Sequence, residues 1–433
     1  MKKIPVAPGI EITIYDEDVS ILKGLAERIA EIAALPVQKE KKELWRGVND
    51  LERKTAILIK HDEVPWSEMN ITGELDLKTT DRFAQSIELQ MRSILYQWEH
   101  MQCDMVIEPR LLSWLAVIDL GFGLNVQEEV IPQGVHDATG AGGWVSAHHY
   151  TPQIKDEKDI EKIGEPQITY NKEISDALHE ARSIYVGDIL ELRKCGLDNP
   201  VFALWDDLVQ LWGAQELLID LIERPELVHM AIKRYSEACS KRLTIYEDLG
   251  VLTWDETLPT GAGGYGYTNS LPGKDFDPDH VKLKNVWGHC TAQLFGSVSP
   301  AMHEEFALNY ELPLMERMGL QYYGCCESLH DRIKMLRRIP NLRKISMGPW
   351  ADLEKGAEQI GNDYVLSVKP NPAMFAGISW EPDRFRNYLT DVFEKTKGCS
   401  VEIIMKDIST VCGEPERLWE TSRIAMDIGS KYR

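Results

Sequence analysis

The chain is predicted to fold as an α/β protein, a (β/α)8 TIM-type barrel with an N-terminal helical extension, and three observations predict it. Short apolar segments recur through the second half with amphipathic helices between most of them, the grammar of parallel βα units. Six such segments and two earlier candidates make eight, the number that closes a barrel of ~250 or more residues. The competing doubly wound sheet needs a G-x-G-x-x-G turn opening a helix after a strand, and the sequence has none.

Taken in order, the first hundred residues read as helices. Ile21, Leu25, Ile29 and Ile32 keep one face of SILKGLAERIAEIAALP, and Phe83, Ile87, Met91 and Leu95 form a comparable stripe in DRFAQSIELQMRSILYQWEH. Residues 1–104 are therefore the expected extension and 105–433 the expected barrel. MVIEPRLL is the first strand candidate. The passage GFGLNVQEEVIPQGVHDATGAGGWVSAHHY lacks helical periodicity, and an irregular stretch of that length is more often a functional loop than a linker. Residues 155–250 return to helix, interrupted by the apolar VFALWDDL, the second candidate. The remaining six are VLTWDET, NVWGHCTA, LQYYGCCE, LRKISMG, DYVLSVKP and VEIIMKD. Ser299 is the expected N-cap, with Pro300 at the first helical position, of the helix AMHEEFALNYELPLMERMG.

Composition narrows the function classes. At 433 residues the chain needs no disulfide or metal staple to build a core, and 43% hydrophobic with 27% charged residues is ordinary globular usage. The first residues reach Pro5 and Pro8 before any apolar run, so no secretory signal is read there. No apolar stretch approaches the ~20 residues that span a bilayer. A soluble, cytoplasmic protein without a membrane partner is expected. The formal charge of −21 repels phosphate backbones, which argues against nucleic acid. Eight cysteines without an even framework read as reduced thiols.

In a barrel of this kind the strand C-termini and the loops after them carry the chemistry. Those ends supply Asp255 and Glu256, His289 and Cys290, Cys325 with Cys326 and Glu327, Gly348 and Trp350, Lys369 and Asn371, and Lys406 and Asp407 with Cys412 shortly after. Thiolate, carboxylate and imidazole together suit a borderline-soft ion, and zinc is the default for a non-redox site. His289, Cys325, Cys326, Glu327 and Cys412 are the candidate ligands. Against this stands the habit of free cysteine to pack as a small hydrophobe. Vicinal cysteines in a regular strand also point to opposite sides, so the loop has to bring one of them around.

Further candidates are weaker. His148, His149 and Tyr150, with His136 and Asp137, read as substrate-contacting loop residues or as a solvated loop. The glycines of TGAGGYGYT match no P-loop and read as a mobile loop. His303 and His330 read as surface or capping residues. Trp205, Trp254, Trp287 and Trp350 lie in or just after strand candidates, where most serve packing and one such as Trp254 could flatten a pocket for a planar ligand.

The second half resembles the uroporphyrinogen decarboxylase superfamily, which includes decarboxylases and zinc-dependent, cobalamin-linked methyltransferases. The likeness rests on SVSPAMHEEFALNYELPLMERMG, YYGCCESLHDRI, ISMGPWADLEKGAEQIG, the VKPNPA turn and ISTVCGEPERLWE, with DEKDIEKIGEPQI upstream. It covers roughly residues 145 to 430. Two departures accompany it. Where the decarboxylases share an Arg-Gln-Ala-Gly-Arg segment that grips propionates, MVIEPRLL offers only Arg110. Where the methyltransferases have His-x-Cys and a later Cys, this chain has Tyr323-Gly324-Cys325 or Gly324-Cys325-Cys326, with Cys412 near the later position, so Glu327 or His289 would have to replace the lost ligand.

The resemblance implies corrinoid-dependent methyl transfer. Its parts are zinc as Lewis acid, a small methyl donor or acceptor, methoxylated aromatics included, and a separate protein carrying the corrinoid (cobalamin). Asp255, Glu256 and Lys369 are then candidates for substrate orientation or proton transfer. His148, His149, Tyr150, Trp254 and Asn371 are candidates for substrate binding, and a homodimer is compatible. The runner-up is a metal-free decarboxylase of a planar carboxylated substrate, using Arg110 and Lys369. A third reading, a corrinoid-holding protein without turnover, lacks the Asp-x-His-x-x-Gly sequence expected of an axial cobalamin ligand.

Overall fold

The computed structural model describes residues 2–52, 57–131 and 147–432; His136 and Asp137 lie outside them. At its centre is a seven-stranded, all-parallel sheet. Its strands are β1 (Ile57–His61), β2 (Val201–Phe202), β3 (Trp287–Cys290), β4 (Leu320–Tyr323), β5 (Leu342–Met347), β6 (Val365–Val368) and β7 (Ser400–Met405), in the spatial order β2-β3-β4-β5-β6-β7-β1. Helices fall between successive strands from β3 onward, as parallel crossovers require.

A second parallel pair, Arg110–Trp114 with Glu191–Cys195, joins the first through the chain itself. After Cys195 the backbone runs on to Pro200, whose carbonyl accepts from the His289 N–H at 3.0 Å. No ladder links β1 to Arg110–Trp114 among the described residues. Asp104 spans that seam: its Oδ2 accepts from Ile59 N at 2.8 Å and its own N–H donates to Ile59 O at 2.9 Å. A parallel α/β sheet is thus present, and its ladders stop short of a closed ring.

Five of the six second-half strand expectations hold, and the remaining elements differ for physical reasons. VLTWDET contributes only a bridge between Leu252 and Leu197. In VFALWDDL only Val201–Phe202 is strand, and Leu204–Trp212 is helix. Leu204, Leu208 and Leu211 are buried at helical spacing, while Asp206 and Asp207 occupy the first turn, where the helix dipole favours negative charge. The first hundred residues do contain the helices Asp16–Ala33 and Arg82–His100, with Leu25, Ile29, Ile87, Met91 and Leu95 buried as the periodicity predicts. They are not helical throughout. Lys2–Ala7 and Ile10–Ile14 form an antiparallel hairpin, and β1 is an edge of the main sheet, paired with β7. A five-residue apolar run is too short to declare a period. Ser299 caps its helix as expected, accepting from Met302 N. No helix among the described residues is long and apolar enough to cross a membrane.

The two faces of the sheet differ sharply. Cys290, Tyr323, Ile345, Met347, Leu366, Val368, Val401 and Ile403 pack into the main core beneath the helices. The opposite, inner face carries Tyr322, Lys344, Ser346, Ser367 and Glu402, all buried. What covers that face is the glycine passage Thr260–Thr268, which is an internal insert rather than the mobile loop read from sequence. Side chains have no room there. A Cβ on Gly264 would lie 2.1 Å from the Trp45 ring, one on Gly263 2.5 Å from Glu402 Oε1, and one on Gly261 2.7 Å from the Tyr322 ring.

Gly264→Ala is therefore expected to destabilise the protein by about 1–3 kcal/mol, the usual cost of overpacking. Gly263, wedged against a charged oxygen, should behave alike. Urea denaturation of both variants beside the parent measures it, and a loss under about 0.5 kcal/mol would mean the insert is looser than its contacts imply.

Candidate functional site

The inner face is organised around a buried ion pair. Lys344 Nζ lies 2.9 Å from Glu402 Oε2, and both side chains are 0% exposed. Glu402 is satisfied further by Gly264 N at 3.2 Å and by the Ser367 hydroxyl at 2.7 Å. Burial alone would raise its carboxyl pKa, but the Lys344 and Lys369 ammonium groups and Ser367 outweigh it and hold Glu402 below the ordinary range.

From Glu402 a chain of polar groups runs toward the C-terminal edge. Ser367 Oγ is 2.7 Å from Lys369 Nζ, which also bonds the Tyr322 hydroxyl, itself 3.0 Å from Ser367 Oγ. Burial lowers the Lys369 pKa to about 8, with Glu402 and Cys325 opposing and Lys406 and Lys344 adding to the fall. This lysine therefore gains and loses its proton near neutrality. His289 faces the Tyr322 ring edge-on and donates from Nε2 to Gly324 O at 3.0 Å. Burial brings its pKa to about 4, so it is neutral at pH 7.

At the edge itself the chain turns at Gly324, whose φ of +96° and crowding against Leu329 require glycine. That turn breaks the strand alternation and brings the Cys325 and Cys326 sulfurs to 3.6 Å of each other. Lys406 Nζ is 3.6 Å from Cys325 Sγ, and Asp407 Oδ2 is 3.6 Å from Cys326 Sγ. The Cys326 thiol donates to Cys325 and brings it down to about 7, helped by Lys406 and Lys369 against burial and Glu327. Cys326 is correspondingly pushed up. Burial would lower the Lys406 pKa, but Cys325, Asp407 and Glu63 outweigh it and raise it. The result is a thiol of lowered pKa beside an ammonium at the C-terminal edge of a parallel sheet.

The expected metal ligands do not come together in this arrangement. Glu327 is buried and committed to the protein: Oε1 accepts from Thr291 Oγ1 at 2.9 Å and Oε2 from Cys325 N at 2.7 Å, fastening the β4 loop to the β3 loop. His289 uses Nε2 on Gly324. Cys412 is exposed and faces the carbonyls of Ala376 and Gly377 at 3.5 and 3.7 Å. Among the described residues no group of three or more His, Cys, Asp or Glu side chains is placed to hold a metal ion. The donor set as arranged does not fit zinc, which takes four ligands in structural sites and three protein ligands in catalytic ones.

The other sequence candidates sit elsewhere. Asp255 is clamped between Arg110 and Arg193 at 3.2 and 3.3 Å and accepts from Thr257. Glu256 pairs with Arg46 at 3.3 Å. Neither shares a partner with the thiol pair. Arg110, the one cation offered for a carboxylate grip, is used by Asp255. Trp254 packs against the cluster of Leu271, Trp287 and Leu320 and against the main core. Asn371 caps a short turn, its Oδ1 accepting from Ala373 N. His149 is exposed on a hairpin strand opposite Glu129, Tyr150 ends that strand, and the His148 side chain is outside the described residues. His303 is fully buried, bonded to Tyr323 and Arg332, and is not the surface residue expected. His330 does help cap a helix, accepting from Asp352 N. Sequence reasoning did not single out Tyr322, Lys344, Ser367 and Glu402. The available signal was polar residues at period two inside otherwise apolar strands.

No family model matches the chain, and no curated protein matches it. Among solved structures, a methyltransferase from Methanosarcina mazei superposes with a TM-score of 0.48 at 11% identity, covering 90% of this chain and 98% of that one.

Two outcomes follow from this geometry. Glu402→Leu alone strands a buried ammonium and should cost about 3–5 kcal/mol, whereas Glu402→Leu with Lys344→Met should recover most of it; equilibrium denaturation at pH 7 measures both. In a Cys412→Ser background, alkylation by iodoacetamide should rise with pH through a midpoint near the Cys325 value of about 7. Cys326→Ala should move that midpoint up toward the ordinary thiol value of ~8.5, because the donated hydrogen bond is lost. An unmoved midpoint would refute that role for Cys326.

Proposed function

We propose that the chain is a methyl-transfer enzyme working at the Cys325 edge of its sheet, between a small methylated compound, methoxylated aromatics included, and a corrinoid carried by a partner protein. The observation that carries the reading is the contact of the Lys406 ammonium with the Cys325 sulfur beside the hydrogen bond of Lys369 to Tyr322. The motif resemblance of the second half, centred on Gly324-Cys325-Cys326-Glu327, supports the same reaction class. An eight-stranded barrel belongs to this reading: Arg110–Trp114, one strand running from Glu191–Cys195 on through β2, and the six other strands of the sheet would make it up.

The corrinoid, when docked, supplies the metal centre that exchanges the methyl group. The chain's own residues do the rest. Lys406 and Cys325 present one cation and one anion at the edge, which orient a polar donor and keep the methyl carbon outward. Lys369, with a pKa of about 8, holds a proton at Nζ and passes it through the Tyr322 hydroxyl to the oxygen or nitrogen that loses its methyl. Glu402 and Ser367 keep that proton in place. Neutral His289 holds the Gly324 turn, and with it the thiols, in register. Zinc remains an expectation of the resemblance, and no step here passes through it.

A decarboxylase is favoured by one specific observation: Lys369 and Lys406 follow neighbouring strands at the same edge of the sheet, two cations suited to a planar carboxylate. The two readings part in a single experiment. The purified protein is mixed with a corrinoid protein and methoxylated aromatic donors, and methylation of the corrinoid is followed by its visible spectrum. In parallel, CO2 release from aromatic carboxylates is measured. Lys369→Met is expected to lower methyl transfer by about 100-fold or more, the scale of a lost general acid. Full transfer by both Lys369→Met and Cys325→Ser would end the proposal, and CO2 release without corrinoid methylation would replace it with the decarboxylase.

A further inference from the structure

The disagreement between this donor set and a four-ligand ion points to a different occupant. We propose that Cys325 and Cys326 form a dithiol site for trivalent organoarsenicals of the type R–As(OH)2, held by two arsenic–sulfur bonds.

Ligand count is the first argument. The edge offers two sulfurs 3.6 Å apart, and among the described residues no third His, Cys, Asp or Glu donor is grouped with them: both Glu327 oxygens are bonded, His289 Nε2 is on Gly324, and Cys412 lies against Ala376 and Gly377. Asp407, nearest to Cys326, is itself paired with Lys406 at 3.5 Å. Zinc needs more protein ligands than that. A monosubstituted trivalent arsenic needs only two thiolates, because its third bond is to its own carbon. A soft atom at the ~2.3 Å usual for a metal–thiolate bond bridges sulfurs at this separation with little movement of either.

Access and stability of the free dithiol are the second argument. Cys103, Cys195, Cys239, Cys290 and Cys399 are buried, so Cys325, Cys326 and Cys412 are the thiols that a solute meets. A disulfide does not readily compete. Consecutive Cα atoms are ~3.8 Å apart, below the ~4.4–6.8 Å of relaxed disulfides, so closing one between neighbours stores strain and leaves it easily reduced.

The step balances without an oxidant or reductant. Each thiol proton leaves with one arsenic-bound hydroxide as water, two As–O bonds are replaced by two As–S bonds, and arsenic stays trivalent. The R group then projects from the edge beside Lys406. The inference does not depend on the methyl-transfer reading, because it concerns the dithiol alone.

The test uses the full chain carrying Cys412→Ser, mixed with one equivalent of phenylarsine oxide in excess 2-mercaptoethanol and read by intact-protein mass. One phenylarsenic adduct that resists the monothiol and is released by 2,3-dimercaptopropanol is expected. Cys325→Ser and Cys326→Ser should each reduce its retention at least tenfold. If either variant is poorly folded by circular dichroism, protection of the Cys325–Cys326 peptide from later alkylation in the parent protein gives the same answer. No monothiol-resistant adduct in the parent, or undiminished retention in either folded single variant, overturns the proposal.

Discussion

The Lys344–Glu402 pair is the constraint from which the inner face follows. Two opposite charges removed entirely from water are tolerable only if every remaining donor and acceptor is supplied, because desolvation costs several kcal/mol per ion. Glu402 meets the demand by drawing in the backbone of Gly264 and the hydroxyl of Ser367. The first contact fixes the glycine insert against the sheet, with Trp45 and Tyr265 edge-to-face beneath it. The second fixes Ser367, and through it Lys369 and Tyr322. Trp45 and Trp287 also present their rings to the Lys344 ammonium at 6.0 and 5.4 Å.

Charge then declines in burial along the strands. Lys344 and Glu402 are wholly enclosed, Lys369 nearly so, and Lys406 and the two thiols reach the edge. Near the edge Cys325 is partly solvated, so burial opposes its ionisation less than it would deeper in the sheet, and the Cys326 hydrogen bond with the Lys406 ammonium lowers its pKa. Glu327 matters here without reacting. By tying the β4 loop to Thr291 it fixes where the Cys325 backbone sits, and the sulfur separation depends on that position.

Much of the second-half architecture was legible because its strands are short, apolar and separated by clear helices. VFALWDDL misled because leucines three and four apart also satisfy a strand's demand for apolar residues, and only the burial of Leu204, Leu208 and Leu211 on one side decides for helix. β1 escaped notice because five residues carry no period. At the site, Cys325 and Cys326 were found from their position after a strand, and their proximity was hidden in the positive φ of Gly324, which reverses the alternation rule. Glu327 looked like a ligand because composition does not reveal whether a carboxylate's oxygens are already occupied. Trp254, Asp255 and Glu256 were placed at a strand end on the strength of a strand that is reduced to one bridge, and they belong to packing and arginine clamps elsewhere.

The glycine insert has a consequence for motion. It is backbone, not a side chain, that lies over Lys344 and Glu402, with Gly264 N donating to Glu402 and Gly266 O accepting from Trp287. A side-chain cover can swing aside by a rotamer change, whereas this cover uncovers the ion pair by shifting a whole segment, a slower event.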